Sequence, residues 1–150
     1  MTDRFREVLN ELSLLLNTPL DPDRHGACRL RVADTLHIQI ECQEEKHRLL
    51  IATFLGEIPP GKFRANVLKE ALKNNYVYPK LGILAYAERL HQLSLFDYLP
   101  MYQLSGQRLL AHLNAFIEKA QRWRLSIETG NITSLIPATQ LPSSNPFNLK

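Results

Sequence analysis

Between Cys28 and Cys42 the chain alternates between apolar and polar residues. Cys28, Leu30 and Val32 are separated by Arg29 and Arg31; after Ala33-Asp34-Thr35, the residues Leu36, Ile38, Ile40 and Cys42 are separated by His37, Gln39 and Glu41. A period of two places one residue class on each face of an extended strand. Two such runs across a short polar break predict a hairpin of half-buried antiparallel strands. A third run, His47 to Leu55, contains the near-continuous apolar stretch Leu49-Leu50-Ile51-Ala52-Thr53-Phe54-Leu55. Its flanking turns favour a strand, and its composition predicts one covered on both faces.

Helical spacing brackets this block. Phe5, Val8, Leu9, Leu12, Leu15 and Leu16 recur at intervals of three and four, with Thr2 or Asp3 as candidate N-cap, and Asn17-Thr18-Pro19 ends the pattern. After Gly56 to Gly61, with its paired prolines, a second helix carries the stripe Phe63, Val67, Leu68, Ala71 and Leu72 and stops at Asn74-Asn75. Strand-like runs follow at Leu81 to Arg89 and Gln92 to Phe96. A long helix then starts at the N-cap Ser105 and ends at Thr129-Gly130, with Leu109, Leu110, Leu113, Phe116, Ile117, Ala120, Trp123 and Ile127 as its buried stripe. The predicted order, α-β-β-β-α-β-β-α, defines an α+β fold: an antiparallel twisted sheet with helices packed on it. Residues 1–130 form the expected domain. Residues 131–150, rich in Pro, Ser and Asn, read as a tail.

Composition narrows the function classes. The 150 residues are 45% hydrophobic and 22% charged, which fits one globular domain. The formal charge of +3 is spread along the chain, and its densest group, Lys119, Arg122 and Arg124 around Trp123, lies on the last helix. A small basic nucleic-acid-binding or regulatory domain is therefore the alternative reading, although no nucleic-acid motif accompanies the group. No signal peptide or membrane-spanning run is visible, and two cysteines in strand-like runs suit a reducing cytoplasm.

Catalytic patterns are lacking. The sequence holds no Gly-rich phosphate loop, no Gly-x-Ser-x-Gly elbow and no His-Glu-x-x-His helix. Asp97 reads as a turn or cap residue after the fifth strand, and Glu44-Glu45 as a solvated turn. His25, Cys28, His37, Cys42 and His47 lie close in sequence, but strand parity puts His37 opposite the cysteines. No catalytic residue, metal or cofactor is expected. What remains unexplained is an apolar surplus: Leu14-Leu15-Leu16 exceed one helical stripe, the third strand is apolar on both faces, and Leu95 and Phe96 must face opposite ways. A locally thicker core accounts for such a surplus, and so does a surface that covers a partner.

Several local strings, in order, resemble the CesT-like type III secretion chaperones, and members of their chlamydial branch in particular. They are Leu14-Leu15-Leu16-Asn17-Thr18, Thr53-Phe54-Leu55-Gly56-Glu57-Ile58-Pro59, Gly82-Ile83-Leu84-Ala85-Tyr86-Ala87-Glu88, Leu93-Ser94-Leu95-Phe96-Asp97 and Thr129-Gly130-Asn131. The similarity spans about residues 1 to 130. It implies a cytoplasmic protein of a Gram-negative bacterium, without enzymatic activity, cofactor, nucleic acid or membrane insertion. Such a protein binds the N-terminal chaperone-binding segment of an effector or export substrate and keeps it soluble and secretion-competent. By the resemblance, Leu12, Leu16, Leu36, Ile38, Leu50, Ala52, Phe54 and Leu95 are the expected effector-binding residues. Phe63, Val67, Leu68, Ala71, Leu84 and Tyr86 are those of the dimer interface. A homodimer is expected, with a heterodimer of two related chaperones left open. One departure stands out: most such chaperones are acidic, whereas this chain is basic.

Overall fold

The computed structural model describes residues 3–77 and 80–131. The candidate cap Thr2 and nearly all of the Pro-rich tail lie outside the described residues. The chain runs α1 (Asp3–Leu16), β1 (Ala27–Val32), β2 (Leu36–Gln43), β3 (Arg48–Glu57), α2 (Lys62–Tyr76), β4 (Ile83–Ala87), β5 (Gln92–Pro100) and α3 (Gly106–Thr129). All pairings are antiparallel, and the five strands lie in the order β1-β2-β3-β5-β4. The α+β architecture and the order of elements are those read from the sequence.

The two hairpins β2–β3 and β4–β5 close by the same device. Single 3₁₀ turns, Glu44–Lys46 and Glu88–Leu90, are each followed by a histidine in the left-handed region, His47 (φ 51°) and His91 (φ 53°). Each histidine N–H returns to the first carbonyl of its turn, at 3.1 and 3.2 Å. The loop before β1 is pinned by Asp23, whose Oδ1 accepts from the N–H groups of His25 (2.8 Å) and Ala27 (3.0 Å). Those bonds favour the ionised carboxylate and lower the Asp23 pKa.

Strand parity divides the sheet cleanly. Leu36, Ile38 and Ile40 of β2, Leu49, Ile51, Thr53 and Leu55 of β3, and Leu93 and Leu95 of β5 are buried on the inner face. Against them pack Phe5, Val8, Leu9 and Leu12 of α1 and Leu109, Leu113, Phe116, Ala120 and Trp123 of α3. Each fully buried side chain of this size contributes about 1.5–3 kcal/mol. Helix α3 starts where sequence places it, with the Ser105 Oγ accepting from the Arg108 N–H at 3.2 Å. A bulge separates Phe54 from Gly56 in the β3–β5 register, and Gly56 sits at φ 127°.

Helices α1 and α3 touch at Gly106. Its N–H donates to the Glu11 carboxylate at 2.6 Å, and the Arg4 guanidinium donates to the neighbouring Leu104 carbonyl. A Cβ at position 106 would come within 2.9 Å of the backbone of both Glu11 and Leu12, so only glycine lets the helices approach this closely. Gly106→Ala is expected to lower the unfolding free energy by about 2–3 kcal/mol, as overpacking a rigid contact does. Urea denaturation of the variant checks it.

Strand β5 extends four residues beyond its predicted end. Leu99 pairs with Leu49 and Pro100 with Arg48, the proline sitting at the strand terminus where its missing N–H costs no ladder bond. Asp97 is accordingly a strand residue facing inward, with Oδ2 2.9 Å from the His112 Nε2 of α3.

Candidate functional site

Among the described residues no helix lies on the outer face of the sheet. On β3 the residues between the core positions are Leu50, Ala52 and Phe54; registered beside them on β5 are Tyr98, Phe96 and Ser94. Beyond β5, Ile83 and Ala85 of β4 pair with Phe96 and Ser94 on the same face. The result is an apolar trough of about 710 Å³, with Ala52, Ser94 and Ala87 on its floor and Phe54, Phe96, Tyr98 and Leu50 as its walls. Phe96 and Tyr98 meet edge to face, with centroids 5.8 Å apart and planes at 75°. The Arg48 guanidinium lies 3.6 Å above the Tyr98 ring and is fixed by donating from Nε to Gln43 Oε1 at 2.7 Å. Phe54 is 50% exposed. A second depression, between α1 and the loop before β1, is polar, with Arg6, Asn10, Asp21, Asp23 and Arg24 around it.

The expected binding residues therefore divide. Leu50, Ala52 and Phe54 lie together in the trough. Leu12, Leu36, Ile38 and Leu95 have their side chains in the core, at 0%, 0%, 1% and 0% exposure, although Ile38 also borders the trough between His37 and Gln39. The correction has a simple cause: the resemblance puts Leu36, Ile38 and Leu95 at the binding surface, but their period of two is the pattern of the covered face, so the open face is the other parity. Leu16 packs at the end of α1 against the core margin, away from the trough, while Leu14 and Leu15 beside it are exposed. Sequence reading missed Phe96 and Tyr98 as trough walls. Phe96 was recognisable as the residue opposite in parity to Leu95, but Tyr98 lay beyond the predicted strand. The third strand, predicted to be covered on both faces, is covered on one.

The second apolar surface lies on α2 and β4. The inner stripe of α2 buries Val67 and Ala71, with Asn74 continuing it, and Leu84 of β4 is buried too. These three apolar side chains, expected at a dimer interface, are already used inside the single chain. Phe63, Leu68 and Tyr86 are half-buried. A neighbouring stripe at four-residue spacing runs Leu68, Leu72 and Tyr76, the last two 72% and 55% exposed, and Ile83 of the adjoining β4 is 42% exposed. The apolar stripe read from the sequence includes Leu72 without assigning it to core or surface, and the helix runs one residue beyond the predicted stop at Asn74-Asn75, to Tyr76.

The sheet edges differ. Asn75 of α2 occupies β4 as a strand would: its Nδ2 donates to the Leu84 carbonyl and its Oδ1 accepts the Leu84 N–H, both at 2.9 Å. Among the described residues strand β1 pairs only with β2, and no strand lies beside its far edge from Cys28 to Val32. Cys28 is buried, and burial pushes its thiol pKa up, away from reactivity. His37 projects from the opposite face to Cys28. Among the described residues no three His, Cys, Asp or Glu side chains gather as metal ligands.

The basic group on α3 does not form one stripe. Trp123 is in the core, and Lys119 is buried, with its Nζ donating to the Leu81 carbonyl at 2.7 Å. Arg124 pairs with Glu128 at 3.2 Å. Burial, assisted by Arg122 and opposed by Asp97, lowers the Lys119 pKa from 10.5 to about 8. Between those two values the unfolded chain binds the extra proton, so raising pH favours the fold. Stability is expected to climb from about pH 8 towards pH 10 and to lose that slope in Lys119→Met. Denaturation midpoints across that range measure it.

The domain thus has one sheet face buried, an open apolar trough on the other, and a separate apolar stripe on an outlying helix. Comparison with known proteins gives it a family. The profile of the Tir chaperone protein (CesT) family matches residues 7–124, and the chain belongs to that family. No match was found among curated protein sequences. Among solved structures, the fold is similar to one described as the HopA1–SchA chaperone–effector complex, with TM-score 0.68, 23% identity, and coverage of 81% of this chain and 94% of that one. It is also similar to the Yersinia pestis type III secretion chaperone SycH in complex with a stable fragment of YscM2 (TM-score 0.62, 17% identity, 79% and 98% covered). A third is the heterodimeric ExoU–SpcU complex from the type III secretion system of Pseudomonas aeruginosa (0.64, 19%, 81% and 98%). Among the described residues no helix is long and apolar enough to cross a membrane.

Proposed function

We propose that this protein is a type III secretion chaperone that binds the N-terminal chaperone-binding segment of an export substrate and keeps it soluble until export. The observation that carries the reading is the apolar trough of Leu50, Ala52, Phe54, Phe96 and Tyr98, an aromatic-lined surface that a free-standing domain would not leave in water. Family membership supports it, as do solved structures of similar fold described as a chaperone–effector complex and as a type III secretion chaperone with a stable fragment of YscM2. The role needs no catalytic group or cofactor and is exercised in the bacterial cytoplasm. Residues 1–130 form the binding domain and 131–150 an appended tail.

Two chains associate through the Leu68, Leu72 and Tyr76 stripe of α2, giving a two-fold dimer in which the trough on each outer sheet face stays free. Where the substrate is extended, it adds to the sheet at β1, because Asn75 already occupies β4 at Leu84. Co-expression with substrates encoded nearby tests the function. A stable complex, lost when the first part of the substrate is deleted, is expected; a chain that purifies as a monomer and retains no substrate contradicts it.

A further inference from the structure

The trough is electrostatically lopsided. Along its β1–β2 side, Arg29 stands opposite Gln39 and Arg31 opposite His37, all on the outer face by register. Arg29, Arg31 and His37 are exposed, and Arg29 and His37 line the trough itself. Among the described residues no carboxylate closes an ion pair with Arg29 or His37; Arg31 has only the exposed Asp34 at 3.7 Å, a pairing of little strength. Along the β4 side the outer residues are Ile83, Ala85 and Ala87, without charge. At the far end, Arg48 sits over Tyr98, and Glu41 lies beside Leu50 with Gln39 Nε2 at 3.4 Å from its carboxylate. The trough therefore has an apolar floor, one cationic flank and one neutral flank.

The face also limits the shape of its occupant. Backbone N–H and C=O groups of β2, β3 and β5 lie in the sheet and are spent on neighbouring strands, so nothing on this face can pair with an added strand. From β2 to β4 there are three strand spacings, roughly 14 Å, which admits a helix of about 10–12 Å diameter. Its floor of Ala52, Ala87 and Ser94 is low enough for the stripe of such a helix to settle between the aromatic walls.

We infer that the trough selects an amphipathic helix of the export substrate with acidic residues along the flank that faces Arg29, Arg31 and His37. This rests on the chaperone reading and adds to it the chemistry of the partner. Part of the chain's basic balance, Arg29, Arg31 and Arg48, then serves recognition where it meets apolar surface. Charge at an exposed rim acts mainly through selectivity and association rate, and salt screens it.

The test uses the full chain and two fluorescein-labelled probe peptides of about 18 residues, long enough to form a helix on a surface. They share one Leu/Ala stripe and differ only in carrying Glu or Lys on one flank. By anisotropy at low salt, the Glu probe is expected to bind roughly 10-fold more tightly than the Lys probe. The preference should collapse towards unity at about 1 M salt and in the Arg29→Ala/Arg31→Ala variant, while Phe54→Asp weakens both probes alike. Equal affinity for the two probes, preference for Lys, no binding of either, or a preference that survives loss of both arginines overturns the inference. The chaperone reading fails differently: a protein with the acidic preference that never co-purifies with an export substrate keeps the inference and loses the function.

Discussion

Phe54→Asp is expected to weaken capture of the substrate segment at least about 30-fold while leaving the domain folded, the behaviour of an interface hot spot losing about 2 kcal/mol or more. The side chain is 50% exposed and stands on the central strand, beside Ser94, with the small Ala52 next along the same face. Removing it opens no cavity inside the chain, so the stability cost is the preference of a strand for an aromatic over Asp, about 1 kcal/mol at most. Leu95→Asp, one strand away on the other parity, puts a carboxylate into a site with 0% exposure and is expected to unfold the protein. Titration calorimetry with the substrate segment, beside thermal melts of both variants, separates the two. A single Arg31→Ala, at an exposed rim, should shift affinity only a few-fold. Similar losses for Arg31→Ala and Phe54→Asp in folded protein would contradict the trough as the binding surface.

The second large effect is on assembly. Replacing Leu72 and Tyr76 together by Asp is expected to convert the protein from a dimer to a species of 17.2 kDa, read by light scattering during size exclusion. Leu72, at 72% exposure, is among the most exposed large apolar side chains, and together with Leu68 and Tyr76 it forms a continuous stripe that a two-fold axis can match with itself. Two carboxylates within such a seam repel their symmetry mates and bury unpaired charge, several kcal/mol against association. Leu125→Asp on α3, at a comparably exposed but isolated apolar position (60%), is the control and should leave the dimer intact. A double variant that stays dimeric would place the interface elsewhere.

Much of the fold was legible because its signals are local. The helical stripes of α1 and α3, apart from the exposed Leu15 and the half-buried Leu110 and Ile117, the Ser105 cap, the alternation of β1 and β2 and the turn residues between strands all act over a few residues and appear where the sequence predicts them. Strand ends were less legible. Asp97, Tyr98 and Leu99 continue β5 only because β3 offers Ile51, Leu50 and Leu49 as partners, a long-range pairing without a local signature.

The candidate site was legible only in part, and for a definite reason. Alternation reports that a strand has two unlike faces; it does not say that a second apolar set belongs to a second surface. Leu50, Ala52 and Phe54 are visible as surplus on β3, but the resemblance groups Leu36, Ile38 and Leu95 with them, and helices α1 and α3 lie over those three. The stripe on α2 has the same origin: Val67 and Leu68, or Ala71 and Leu72, are adjacent in sequence and both apolar, and only contact with β4 settles which member turns inward.

By itself the sequence determined the elements, their order and the α+β class, because propensity, capping and periodicity are properties of neighbouring residues. Tertiary structure alone decided which apolar surplus is covered: the helices occupy one face of the sheet, and the residues of opposite parity are left to form the trough. The cationic flank beside that trough is likewise a product of register, since Arg29 and Arg31 meet Gln39 and His37 only when β1 folds back on β2.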